Sequence, residues 1–265
     1  MSMLYCSING QQVNSISVYD RGLSYGDGIF TTAKIIKGEV IMLNQHINRL
    51  HQGCDHLSIV GFDQNELRNE MSRIALHYDL AVMKVIITAG QGGRGYSRIG
   101  TNKPSVIISV HEFPVQYPIL SSVGITLGVS NQKLGINPML KGLKHLNRLE
   151  QVLIRNELDL SDYDDLLVSN INEHIVECSS ANFFWFEGEK LFTPDVSSSG
   201  VQGLMRDKIL SCFPSTSIVK EKREVLEHAS SMFICNSIIG IIPVKRFDNR
   251  DLPVNPIIDF RNTMT

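Results

Sequence analysis

Two lysines three residues apart stand in "MLKGLKHLNRLEQVLIRNEL", residues 139–158. A lysine stripped of water gives up its proton more readily, and the neutral amine can attack a carbonyl to form an imine. Leu146, Leu149, Val152 and Leu153 follow at helical spacing and predict a helix with that face buried. Lys144 lies within about one turn of this face, and Lys141 stands further out in the connecting loop. Spacing alone leaves both lysines open to a plainer reading as solvated surface charges.

Three further features carry chemistry. Glu177 sits among apolar and small residues in "EHIVECSSANFFWF", residues 173–186, ahead of Asn182. A buried carboxylate needs a strong partner, such as a protonated ring nitrogen; in solvent it is an ordinary strand-end charge. Arg49 borders the apolar stripe of "HINRL", residues 46–50, where it either snorkels to water or grips a phosphate. In "SSSGVQGLMRDKIL", residues 197–210, Ser and Gly lead into a helix starting near Gly203. Its first N–H groups can be capped or can bind phosphate. An imine-forming lysine, a ring-nitrogen carboxylate and two phosphate holders are together what pyridoxal 5'-phosphate requires.

One motif is refused. "GQGGRG", residues 90–95, fits G-x-G-x-x-G, and Glu112 stands near the spacing of the acidic partner. That fingerprint needs a helix opening directly after the glycines to hold the pyrophosphate. Here "YSRIGTNKPSV" follows, polar and broken by Gly100 and Pro104. A flexible loop joining two strands, with Arg94 at its tip, is the expectation.

The elements that must position these residues read as α+β. Strands are predicted at "MLYCSING", "VMKVIITA" and "PSVIISVHEF", with a hairpin through "GIFTTAKIIKGEVIML" turning at Lys37–Glu39. One helix carries Ile47, Leu50, Cys54 and Leu57 on one face, and a second is capped by Asp63 with Glu66 three positions on. "FPVQYPILSS", with Pro114 and Pro118, is the best boundary. It gives an N-terminal α+β domain over 1–115, a linker over 116–122 and a C-terminal α+β domain over 123–265 carrying Lys144. The 265 residues are 43% hydrophobic and 20% charged, with a net charge of −2, so neither nucleic acid nor an anionic membrane is an expected partner. "MSMLYCSINGQQ" is unlike a signal peptide, and five cysteines without CxxC spacing suit reduced thiols in a cytoplasmic protein without a zinc site.

The sequence resembles the fold-type IV pyridoxal-phosphate enzymes, the family of branched-chain and D-amino-acid transaminases. The matching segments are "DRGLSYGDGIFTTAKI", "HINRL", "KVIITAGQGGRGYS", "KHLNRLEQVLIR", "VECSSANFFW", "GVQGLMR" and "ICNSIIGIIPV", in family order over nearly the whole chain. "GGRGYS" and "KHLNRLEQVLIR" point to its carbon–oxygen lyase branch, which splits aminodeoxychorismate into 4-aminobenzoate and pyruvate. The resemblance implies a small N-terminal and a larger C-terminal domain with the cofactor between them, and a homodimer. It further implies a functional link to an aminodeoxychorismate synthase. On it, Lys144 falls on the Schiff-base lysine, Glu177 on the ring-nitrogen carboxylate and Arg49 on the phosphate arginine. Leu204 and Met205 fall where backbone N–H groups meet the phosphate, and Ser237 where a hydroxyl does. Transaminases of the family commonly carry an aromatic residue and then Glu after "GDG", whereas this chain reads Phe30, Thr31, Thr32. On a strand the two threonines face opposite ways, and the resemblance favours Thr32 as the catalytic one. Lys84, Arg94 and Asn236 are the candidate contacts for a substrate with two carboxylates; the plain alternative for Lys84 is a sheet-edge charge.

Overall fold

Alternation along "GIFTTAKII" sets the first sheet: Ile29, Thr31, Ala33 and Ile35 are buried, and the residues between them are only partly so. The computed structural model describes residues 2–101 and 103–264 and divides into two compact units. Unit 1 comprises Met1–Pro114 with Lys144–Asn147. It contains β1 (Met3–Ile8), α1 (Arg21–Tyr25), β2 (Gly28–Ile36), β3 (Glu39–Val40), α2 (Leu43–His56), α3 (Gln64–Ala75), β4 (Leu80–Thr88) and β5 (Ser105–Glu112). The strands pair antiparallel in the order β1-β5-β4-β2-β3. The hairpin turns at Lys37 and Gly38, both at positive φ.

Helices α2 and α3 supply Ile47, Leu50, Cys54, Leu67, Met71 and Ile74 to a core shared with Ile29, Ala33, Ile35, Met83, Val85, Ile108 and Val110. Asp63 caps α3, accepting from the N–H groups of Asn65 and Glu66. The other sheet face carries Thr32 directly opposite Lys84, which is in turn opposite Ser109.

Unit 2 comprises Val115–Leu143 and Arg148–Thr265. Its elements are α4 (Tyr117–Val123), β6 (Ile125–Leu134), α5 (Leu149–Asp159), β7 (Asp165–Asn170), β8 (Ile175–Cys178), β9 (Asn182–Glu187), β10 (Lys190–Pro194), α6 (Leu204–Cys212), β11 (Ser217–Val219), a 3-10 turn (Arg223–His228), β12 (Ser231–Asn236), β13 (Gly240–Phe247), β14 (Arg250–Asp251) and α7 (Asn255–Asn262). The sheet runs β11-β10-β9-β12-β13-β6-β7-β8, with β14 on β13. Its core stacks Phe183 on Trp185 and Trp185 on Phe192. Among the described residues, no helix is long and apolar enough to cross a membrane.

Three expectations are corrected. The expected linker, 116–122, lies mostly in α4, whose first turn accommodates Pro118. Lys144 belongs to unit 1, because the chain returns there for four residues. The helix after it buries Ile154 and Leu158, while Leu149, Val152 and Leu153 are 77%, 50% and 56% exposed. Both stripes recur at helical spacing, so periodicity alone picked the wrong face.

Candidate active site

In unit 1 the residues Lys144–Asn147 run alongside the start of β2. The N–H of Phe30 donates to the Lys144 carbonyl at 2.9 Å, and that of Leu146 donates to the Gly28 carbonyl at 3.0 Å. The Asn147 amide donates to the Gly26 carbonyl at 3.1 Å. These bonds fix the backbone of Lys144, and its Nζ lies 4.7 Å from the Phe30 ring centroid. Lys84 brings a second amine to the same ring, at 5.1 Å. Strand β4 lies between β2 and β5, so Lys84 is no sheet-edge charge. Burial pulls its pKa below the usual lysine value. Lys144, Lys84, Phe30 and Thr32 thus gather on one sheet face, whereas Lys141 is exposed in unit 2. Arg94 is exposed, in the loop between β4 and β5.

Thr31 faces the other way. Its Oγ1 is 2.6 Å from Nδ1 of His46, which is wholly buried on α2. His46 Nε2 has no hydrogen-bond partner among the described residues. Burial, then the charges of Arg49 and Lys144, lower the His46 pKa to about 3, so the imidazole is neutral. Arg49, partly buried, follows three residues later on the same helix. His46 was passed over in the sequence; its signal was the i, i+3 spacing to Arg49.

In unit 2 Glu177 sits on β8, 6% exposed, which excludes the solvated reading. Its Oε2 accepts from the N–H of Val201 at 2.8 Å. Gly200 permits this approach: it stands at φ +84, and a Cβ there would come within 2.6 Å of Val176 and 3.1 Å of Glu177 Oε2. Asn182 donates to the Val201 carbonyl at 2.9 Å. Arg148, absent from the sequence reading, is pulled below its usual pKa by burial, with Glu177 and Glu150 opposing.

Leu204 and Met205 open α6, whose N-cap Gly203 supplies no side-chain cap hydrogen bond. Their N–H groups therefore have no intrahelical acceptor. Arg206, a third residue that sequence reasoning missed, is 4% exposed, and its Nη2 donates to the Pro194 carbonyl at 3.0 Å. Its Nε has no hydrogen-bond partner among the described residues. Ser237 follows β12 directly. Asn236 uses its side chain locally: it donates to the Ser180 carbonyl at 3.1 Å and accepts from Ile238 and Ile239 at 2.8 and 2.9 Å. That leaves one amide hydrogen for any ligand.

Taken unit by unit, these donors have the chemistry that pyridoxal 5'-phosphate needs. Unit 1 offers a fixed amine for an aldehyde, and unit 2 a buried carboxylate for a ring nitrogen and uncapped helix N–H groups for a phosphate.

The sequence and fold have known counterparts. A family model for class IV amino-transferases matches residues 28–247. An aminodeoxychorismate lyase of Vibrio harveyi is 36% identical over 241 residues, 89% of each chain. A putative branched-chain-amino-acid aminotransferase of Methanocaldococcus jannaschii is 28% identical, over 92% of this chain and 88% of its own. Among solved structures, a 4-amino-4-deoxychorismate lyase from Pseudomonas aeruginosa matches with a TM-score of 0.91 and 33% identity, over 98% of this chain and 97% of the other.

Proposed function

The chain belongs to the class IV amino-transferase family, and on that premise we propose that it is an aminodeoxychorismate lyase, releasing 4-aminobenzoate and pyruvate. The observation that carries this reading is the meeting of two amines, Lys144 and Lys84, at the Phe30 ring, with Thr32 opposite Lys84. A reactive amine, a second cation and a hydroxyl suit an amino substrate with two carboxylates and a carbon–oxygen bond to break. The similarity to the Vibrio harveyi enzyme supports the same reaction.

Bound pyridoxal 5'-phosphate supplies an electron sink for the pair released when the substrate's carbon–hydrogen bond breaks. Lys144 would hold the cofactor through Nζ, and its amine would take the proton from the ring carbon that bears the amino group. Glu177 keeps the cofactor's ring nitrogen protonated. Arg49, the N–H groups of Leu204 and Met205, and the Ser237 hydroxyl hold the phosphate. Lys84 and Arg94 receive the substrate carboxylates, with Asn236 contributing its remaining amide hydrogen. Thr32 donates to the departing pyruvyl group. Aromatisation of the six-membered ring makes the step downhill.

On this reading the chain acts in the cytoplasm, in folate biosynthesis, downstream of an aminodeoxychorismate synthase. It forms a homodimer; the exposed Leu149, Val152 and Leu153 on α5 support a partnered surface, and sedimentation tests it. The activity is tested by a coupled assay of chorismate, glutamine and an aminodeoxychorismate synthase, with and without this protein. Appearance of 4-aminobenzoate only in its presence is the expected result. Amino-group exchange with 2-oxoglutarate and no 4-aminobenzoate would make it a transaminase instead.

A further inference from the structure

The glycine-rich stretch refused above as a dinucleotide fingerprint closes around one guanidinium. Arg21 is 3% exposed. Its Nε donates to Asp27 at 2.8 Å. Nη1 donates to the carbonyls of Gly95 and Ser97 at 3.0 and 3.2 Å and reaches that of Gly92 at 3.5 Å, and Nη2 donates to that of Tyr96 at 3.2 Å. The Arg21 backbone N–H donates to the Gly90 carbonyl at 2.9 Å. Carbonyls this close in sequence converge on one cation because Gly92, Gly93 and Gly95 take φ of +109, +73 and +58. A Cβ on Gly93 would lie 2.1 Å from the Ser97 carbonyl oxygen and 3.1 Å from Arg21 Nη1. Arg98 closes the far end of the loop on the same Asp27 carboxylate. Tyr25 lies under the Arg21 guanidinium at 4.8 Å, and its ring is 5.6 Å from that of Tyr96. The expectation of a flexible loop gives way to a caged one. Arg94 lies inside the caged span, and its carbonyl accepts from the N–H of Ser97 at 3.1 Å.

We propose that Arg21 is a positioning residue: it touches no substrate itself, but cages the loop so that Arg94 meets a substrate carboxylate already in place. The inference rests on the assignment of Arg94 to the substrate made above. Only a planar fork of donors spans these carbonyls, so lysine cannot substitute for Arg21, and preordering the loop lowers the cost of binding.

The test uses the cofactor-loaded enzyme and four variants: Arg94→Ala, Arg21→Lys, the double variant, and Gly93→Ala, which opens the cage with Arg21 intact. Arg94→Ala and Arg21→Lys should each raise KM roughly tenfold or more, with kcat and cofactor affinity largely kept. The double variant should be no worse than the worse single one, and Gly93→Ala should match Arg21→Lys. Amide exchange over residues 92–97 should rise in Arg21→Lys and Gly93→Ala but not in Arg94→Ala. An unchanged KM in Arg21→Lys, or KM effects that multiply in the double variant, would overturn the proposal. Failure of the wild type to release 4-aminobenzoate would instead sink the lyase reading. The KM comparison then moves to whichever carboxylate substrate is turned over, and unchanged amide exchange in Arg21→Lys overturns the cage in either case.

Discussion

Phe30 grips Lys144 twice: its backbone N–H donates to the Lys144 carbonyl at 2.9 Å, and its ring centroid lies 4.7 Å from Lys144 Nζ. The first contact sets where the residue stands and the second where its amine rests. Lys144→Ala should abolish the absorbance of covalently held cofactor and nearly all turnover. Lys141→Ala should keep both, because Lys141 is exposed in the loop. Phe30→Leu keeps the backbone contact and loses the π face, worth about 0.5–2 kcal/mol. It should slow turnover roughly two- to thirtyfold, and Phe30→Tyr should restore it. Equal rates in Phe30→Leu and wild type would remove the ring from the account.

The two threonines separate by the same alternation that builds β2. Thr31 is buried against His46, while Thr32 shares the face of Phe30 and Lys84. Thr32→Ala should therefore lower turnover and leave cofactor binding intact. Steady-state rates and a cofactor titration check both halves, and an unaffected rate dismisses the hydroxyl from the reaction.

Alternation is also why this part of the site was legible in the sequence. A strand has one period, so choosing a face for Thr32 chose one for Phe30 as well. The helix after Lys144 was not legible in this way. Leu149, Val152 and Leu153 compete with Ile154 and Leu158 at equivalent spacing, and only the packing of unit 2 decides between them. Nor could spacing show that residues 144–147 pack with unit 1, because that pairing joins segments more than a hundred positions apart. The glycine loop was rejected for a sound local reason, the missing helix. What it does instead depends on Arg21, about seventy residues upstream.

Gly200 sets how closely the chain passes Glu177. Its φ of +84 and the 2.6 Å approach of a Cβ to Val176 leave alanine no relaxed conformation. Gly200→Ala should cost about 1–3 kcal/mol of stability. It should also weaken cofactor binding, since the Val201 N–H that orients Glu177 shifts with it. Thermal melts with and without cofactor separate the two effects. A loss of stability with unchanged cofactor affinity would mean Glu177 is oriented by other contacts.

His46 makes stability depend on pH in a defined window. In the folded chain its pKa is lowered from 6.5 to about 3. Between these values the unfolded chain binds a proton at this site and the folded chain does not, so stability rises with pH there. The contribution is fully present above pH 6.5 and drains away as pH falls toward about 3, where the folded form also protonates. Its size is on the order of a few kcal/mol. His46→Gln cannot titrate and keeps a polar group beside Thr31. Urea melts at several pH values should show the wild type losing stability across this window and His46→Gln losing less. Parallel curves for the two proteins would mean that the imidazole is solvated in solution, and that the Thr31 contact does not hold it in the core.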